Sequence, residues 1–121
     1  MLRAGIPPPS PGDRPERSGL APSSVPTMTP EDRERTQRLM KKGDEQMADG
    51  NVAGARLLYE RAAEAGLADA AMALAATFDA AELARMQARG IPPDRKEAQR
   101  WYERARQLGA GGVEQRLRRL G

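Results

Sequence analysis

The residues best suited to chemistry in this sequence are two repeated Glu-Arg pairs and one glycine-rich segment. Glu60-Arg61 and Glu103-Arg104 each place a carboxylate beside a guanidinium, an arrangement that could support acid–base chemistry. No neighbouring residue type would orient either pair or tune its pKa, which favours solvated surface instead. Residues 109–112, Gly-Ala-Gly-Gly, lack the strand and the lysine of a phosphate-binding loop, so they predict a flexible turn between helices.

Two residue types that carry much enzyme chemistry are absent, because the chain contains neither cysteine nor histidine. Their absence excludes disulfides, cysteine nucleophiles, and thiolate or imidazole metal ligands. It also removes the side chain whose pKa best suits proton transfer near neutral pH. The carboxylates form no cluster at metal-ligand spacing. We therefore expect a protein that is not an enzyme, with no catalytic residue, metal site or cofactor.

Length and charge limit the class of protein further. The 121 residues make one domain at most, and 20 Lys+Arg against 17 Asp+Glu leave a net charge of only +3. The longest apolar run, residues 70–78, is far shorter than the roughly 20 residues that span a bilayer. The first residues lack the apolar stretch of a secretory signal. We expect no membrane span and, in the absence of disulfides, a cytoplasmic location.

Residues 1–28 differ in composition from the rest of the chain. Seven of the ten prolines fall in this segment, interleaved with serine and glycine. The few apolar side chains cannot bury enough surface to offset the chain entropy, so we expect a disordered tail with polyproline II character. Two alternatives stay open: the segment 8–11, Pro-Pro-Ser-Pro, could bind an SH3-like groove, or translation could begin at Met28.

Residues 29–121 are predicted to form a helical domain. Good helix formers dominate this part, and β-branched residues are scarce. Thr29 and Pro30 mark the first helix by an N-cap hydroxyl followed by proline. Further caps and glycines predict a first hairpin over about residues 30–66, a second unit over about 69–109 and a terminal helix over 112–120. Within the second unit, Asp79 predicts a bend before a further helical piece over 80–89.

An internal repeat relates two of the predicted helices. Residues 55–62, Ala-Arg-Leu-Leu-Tyr-Glu-Arg-Ala, recur 43 residues later as Ala-Gln-Arg-Trp-Tyr-Glu-Arg-Ala at 98–105. A period of this size is typical of helical solenoids, and alanines seven residues apart let a partner helix approach closely. The predicted repeat core consists of Ala55, Leu58, Tyr59, Ala62, Leu74, Phe78, Ala98, Trp101, Tyr102, Ala105 and Leu117.

The repeated residues resemble the tetratricopeptide repeat (TPR) superfamily, especially its Sel-one-like branch. In that branch a helix with a Trp-Tyr pair and a small residue ends in glycine, and a leucine follows in the next helix. Here these positions are Trp101-Tyr102, Ala105, Gly109 and Leu117. The resemblance covers about residues 36–120 and implies an all-α fold, a short right-handed helical-repeat solenoid of TPR or Sel-one-like hairpins.

The same resemblance implies a protein–protein interaction module, an adaptor or scaffold that holds a protein or peptide in a concave groove. The side chains expected to line that groove are Met40, Asp44, Met47, Met72 and Ala76. Methionines would give a soft wall that accepts varied apolar side chains. They could equally fill the core, as methionine at helical spacing usually does. Because the array is short, we also expect marginal stability, self-association or docking on a partner.

An alternative function is RNA binding through the arginine-rich C-terminal helices. The candidate cations are Arg95, Lys96, Arg100, Arg104, Arg106, Arg116, Arg118 and Arg119. Glutamates interrupt this positive field, and the regular polar pairs of helical repeats that recognise RNA bases are missing. We therefore expect a protein partner rather than a nucleic acid. An affinity that falls steeply with salt would instead indicate RNA.

Overall fold

The computed structural model describes residues 28–120, where the regular structure is entirely helical. The helices of this part are α1 (Pro30–Ala48), α2 (Val52–Glu64), α3 (Ala68–Ala76), α4 (Ala80–Arg85), α5 (Arg95–Gln107) and α6 (Val113–Leu120). The prediction of an all-α class is confirmed for these residues. The predicted tail before Met28 lies outside them, and so does the last residue. None of the described helices combines the length and apolar character that crossing a bilayer requires.

Side-chain caps explain where four of the helices begin. The cap residues of α1, α2, α4 and α5 are Thr29, Asn51, Asp79 and Asp94, and each accepts a hydrogen bond from a backbone amide of the first turn. Such amides have no partner within the helix, so one well-placed oxygen fixes the boundary. Gly66 and Gly109, which the repeat relates, follow α2 and α5 with φ values of 110° and 95°. This left-handed conformation ends a helix at little cost only for glycine.

The helices pack largely in chain order. The main contacts join α1 to α2, α2 to α3, α3 to α5 and α5 to α6, whereas α4 makes only a small contact with α3. α4 is therefore a short insertion between α3 and α5, which pack against each other. Asp94, just before α5, donates its backbone N–H to the Phe78 carbonyl at 2.9 Å. This hydrogen bond joins the two ends of the insertion next to α3.

The core depends on alanine. Its fully buried members are Ala55, Ala62, Ala63, Ala70, Ala71, Ala75, Ala98 and Ala105, joined by larger side chains such as Tyr59, Leu74, Trp101 and Tyr102. Alanine at contact positions lets helix backbones approach closely, which the repeat spacing predicted. Phe78 and Leu117 are half-buried and pack against this cluster. Leu58 is half-buried and is not part of the cluster, although its repeat partner Trp101 is buried within it.

The segment after Asp79 is less helical than the predicted piece over 80–89. α4 ends at Arg85, and Gln87 has a positive φ of 58°. The amides of Gln87 and Ala88 turn back to carbonyls of the helix, which satisfies its last acceptors. Met86, the C-cap residue of α4, follows the buried Leu83 by three positions but is 36 % exposed.

Candidate functional site

An open groove lies where α1, α2, α3 and the segment after α4 meet. Its narrower part is a cavity of 260 Å³ lined by Asp44, Met47, Tyr59, Ala73, Ala76, Thr77 and Met86. Its wider part is a depression of 540 Å³ lined by Met47, Ala48, Gly50, Val52, Met86, Gln87, Ala88, Arg89 and Ile91. Both parts share Met47 and Met86, so we call the whole the Met47–Met86 groove.

Helix periodicity brings the lining residues of the narrower part together. Asp44 and Met47 are three residues apart on α1, and Ala73 and Ala76 are three apart on α3, so each pair occupies one helix face. The alanines have no bulk to fill the space between the helices. A gap therefore remains over α3, bounded by the flexible thioether of Met47.

Only part of the predicted groove wall lies in this groove. Asp44, Met47 and Ala76 line the narrower cavity. Met40 and Met72 line neither part of the groove; both are half-buried and pack against the alanine-rich core. For these two methionines the core interpretation describes the structure better. Met47 fits both interpretations, because it packs against the core and also borders the groove.

Met86 was missed by the sequence analysis, and its exposure explains why. The sequence places it three residues after Leu83, a spacing that predicts burial on the same helical face. It is the C-cap residue of α4 and borders both parts of the groove. No local pattern marks that end beyond the helix-weakening glycine at 90.

Tyr59 forms a fixed wall of the groove. Its hydroxyl donates to Asp44 Oδ1 at 2.6 Å. Its ring lies against Gly43, where an added Cβ would stand 2.6 Å from Cε1 of the ring. Burial raises the pKa of the Tyr59 phenol, and the hydrogen bond to the Asp44 carboxylate and its charge raise it further. The tyrosine therefore stays neutral and keeps donating at physiological pH.

Thr77, on the opposite wall, is held by an arginine of α2. Arg56 donates from Nε to the Thr77 hydroxyl oxygen at 3.1 Å and from Nη2 to the Thr77 carbonyl at 2.6 Å. The same guanidinium stacks 3.9 Å from the centroid of the Phe78 ring. A cation at the C-terminus of α3 also suits the helix dipole. These contacts fix the end of α3 and so the shape of the groove.

A second cluster, buried and charged, joins α4 to α6. Asp79 and Glu82 are 2 % and 6 % exposed. Asp79 Oδ2 accepts from the Tyr102 hydroxyl at 2.7 Å and from Arg119, which also lies 3.6 Å from Glu82. Burial raises the pKa of Asp79, but the hydrogen bonds from Tyr102 and Arg119 outweigh it and leave that pKa below its usual range.

This cluster links α4, α5 and α6 through paired side chains. Every carboxylate in it is paired, and the proton of Tyr102 is held tightly because burial and Asp79 raise its pKa to about 12. The sequence predicted a bend at Asp79 and placed Arg119 among the candidate RNA-binding cations. The pairing was missed because the two residues lie 40 positions apart, beyond any local pattern.

The C-terminal arginines are not an uninterrupted basic surface. Arg100 pairs with Glu97 and Arg106 with Glu103, each one turn along α5, while Arg116 and Arg119 face Glu82 of α4. Glu103 thus binds Arg106 rather than the adjacent Arg104. Within residues 28–120, no group of three acidic side chains is placed to hold a metal ion.

The two tyrosines of the chain, Tyr59 and Tyr102, are expected to resist ionisation in the folded protein. An ultraviolet titration of phenolate should show little ionisation at about pH 11, whereas the denatured chain should titrate near pH ~10. The pKa values of both tyrosines are raised on folding. The stability that the two neutral phenols contribute to the fold is therefore complete below pH ~10 and is lost as pH rises through their folded-state pKa values. The same titration of the Tyr59→Phe and Tyr102→Phe variants would show which tyrosine gives each phenolate signal. A folded-state titration near pH ~10 would contradict the two Tyr–Asp hydrogen bonds.

No family model, curated protein or solved structure matches this chain. The resemblance to tetratricopeptide and Sel-one-like repeats therefore rests on the repeated residues themselves.

Proposed function

We propose that the chain is a short helical-repeat array of the tetratricopeptide type, which binds a protein or peptide in the Met47–Met86 groove and catalyses no reaction. The repeat-related helices α2 and α5 each pack against a preceding helix, α1 and α3 respectively. Two such pairs followed by α6 give the element order expected of a short helical-repeat array.

The repeat-related tyrosines give this proposal independent support. Tyr59 of α2 donates to Asp44 of α1, and Tyr102 of α5 donates to Asp79, which follows α3. Each helix pair is therefore joined by a tyrosine and an aspartate, although the two aspartates are not related by the repeat offset. Equivalent roles at repeat-related positions are expected when a chain uses one packing solution twice.

The observation that carries the binding role is an apolar groove with a soft, exposed border. Met86 is 36 % exposed beside a depression of 540 Å³ whose lining includes Val52 and Ile91. Cavities of a few hundred Å³ accommodate side chains or small ligands. Methionine can adapt to several apolar shapes, which suits peptide recognition.

A displayed random peptide library, selected on the full chain, tests this role. We expect selected peptides to bind the Met86→Glu variant roughly tenfold more weakly, because a charge in the groove must be desolvated. Leu57→Glu is the matched control, since Leu57 is 67 % exposed and lines no part of the groove. Circular dichroism melts would show that both variants fold.

Equal binding to the Met86→Glu and Leu57→Glu variants would overturn the proposal. The RNA alternative has less support, because carboxylates already pair with Arg100, Arg106, Arg116 and Arg119. A fluorescently labelled single-stranded RNA serves as the direct comparison. Tight RNA binding that weakens steeply with salt would favour the alternative.

A further inference from the structure

We propose that the Met47–Met86 groove selects a peptide segment in which one apolar anchor side chain is accompanied by a single lysine or arginine that pairs with Asp44. This inference rests on the proposed peptide-binding function. The apolar anchor would enter the 260 Å³ cavity, and the cation would sit at its rim.

The narrower cavity carries a negative charge. Asp44 is the one charged residue in its lining, and the remaining lining residues are neutral. The side chain is exposed, and within residues 28–120 no lysine or arginine forms an ion pair with it. A carboxylate with no cation partner beside an apolar wall is complementary to a positively charged ligand group.

Tyr59 orients the Asp44 carboxylate. The Tyr59 hydroxyl holds Asp44 Oδ1 at 2.6 Å, so the carboxylate is fixed in place before a ligand arrives. A fixed carboxylate loses little side-chain entropy when a cation binds, which is the usual cost of an exposed ion pair.

The wider part of the groove disfavours a second cation in the ligand. Arg89 lines the wider part of the groove and would repel a second positive group placed there. A polybasic segment is therefore a poorer ligand than one with a single cation next to its apolar anchor. This separates the proposed ligand from peptides that bind by charge alone.

Peptides from the selection described above provide the probes. We expect those that lose affinity for the Met86→Glu variant to share a lysine or arginine near an apolar residue. Synthetic fluorescent versions carrying arginine, or the neutral isostere citrulline, would then be titrated against the full chain. Citrulline should weaken binding about three- to tenfold, in the range of an exposed but oriented ion pair.

Asp44→Asn tests the other partner of the pair. Asparagine keeps an oxygen that can accept from Tyr59, so the groove wall should persist while the charge is lost. The variant should lose three- to tenfold affinity for the arginine peptide and almost none for the citrulline peptide, as a double-mutant cycle requires. Glu45→Gln on the same helix removes the same charge outside the groove lining and should change affinity less than about twofold.

The outcomes separate the two proposals. Peptides that depend on Met86 but bind equally to wild type and Asp44→Asn would leave the groove function standing and overturn the cation inference. Equal losses in Asp44→Asn and Glu45→Gln would likewise overturn it, since only net charge would matter. Selected peptides insensitive to Met86→Glu would overturn both. Should Asp44→Asn melt early, the citrulline comparison on the wild-type chain decides the matter alone.

Discussion

Asp79→Ala is expected to lower the free energy of unfolding by about 3 kcal/mol, the low end of the range for breaking a buried pair. The carboxylate caps α4 through the Ala81 amide and accepts from both Tyr102 and Arg119. Alanine would leave the buried Tyr102 hydroxyl without its acceptor. Arg119 is 43 % exposed and can turn to water, which keeps the loss at the low end.

Urea unfolding of the full chain, followed by helical circular dichroism, measures this loss. Glu34→Ala removes an exposed acid from α1 and is the matched control, with an expected change within about 0.5 kcal/mol. A domain of this size has a total stability of only about 5–15 kcal/mol, so the Asp79 variant should unfold at a clearly lower urea concentration. A loss no larger than that of the control would mean that the cluster contributes little.

The stability at acidic pH gives a second measurement of what Asp79 contributes. Since the pKa of Asp79 is lowered on folding, its contribution is complete above the unfolded value, about pH 3.9, and is lost as pH falls through the folded pKa. The stability difference between wild type and Asp79→Ala should therefore shrink with acidification. A difference that is constant down to the acid transition would contradict the lowered pKa.

Gly43→Ala should destabilise the protein by about 1–2 kcal/mol although alanine is the better helix former. The added Cβ would lie 2.6 Å and 2.8 Å from two carbons of the Tyr59 ring. That ring is 3 % exposed and tied to Asp44, so it cannot move aside freely. Overpacking of this kind costs about 1–3 kcal/mol, against a gain of up to about 1 from helix propensity.

Thermal and urea unfolding of Gly43→Ala would be compared with Gly111→Ala. An added Cβ at Gly111 meets nothing within 4 Å, so that variant should be neutral or slightly stabilised. Because the Tyr59 ring also lines the groove, Gly43→Ala should weaken the selected peptides as well. Unchanged stability together with unchanged binding would show that the ring has room to shift.

Local signals in the sequence predicted the helices well. Thr29 and Asp94 mark two helix starts because a cap acts within three residues along the chain. The repeat likewise indicated buried alanines such as Ala55 and Ala98. Properties of this kind depend on neighbours in sequence, so they can be inferred without knowing how the helices pack.

Features that depend on tertiary packing could not be predicted in the same way. Asp44, Met47 and Ala76 meet in one cavity, whereas Met40 does not, and the difference depends on how α1 is rotated against α3. A helical pattern defines a face of about two or three residues per turn but not which part of it stays uncovered. Met86 likewise lines the groove beside residues of α1 and α2, which are distant from it in sequence.

Packing in chain order has a consequence for how the protein folds. Each main helix contact joins elements that are close in sequence, and α4 is an insertion between two of them. Loop closure between such neighbours costs little entropy, and chains rich in local contacts fold in microseconds to milliseconds. The contact between Arg119 and Asp79, 40 residues apart, joins the end of α6 to the start of α4. Docking of α6 therefore also secures α4, so a helix later in the chain completes a segment that precedes it by several turns of structure.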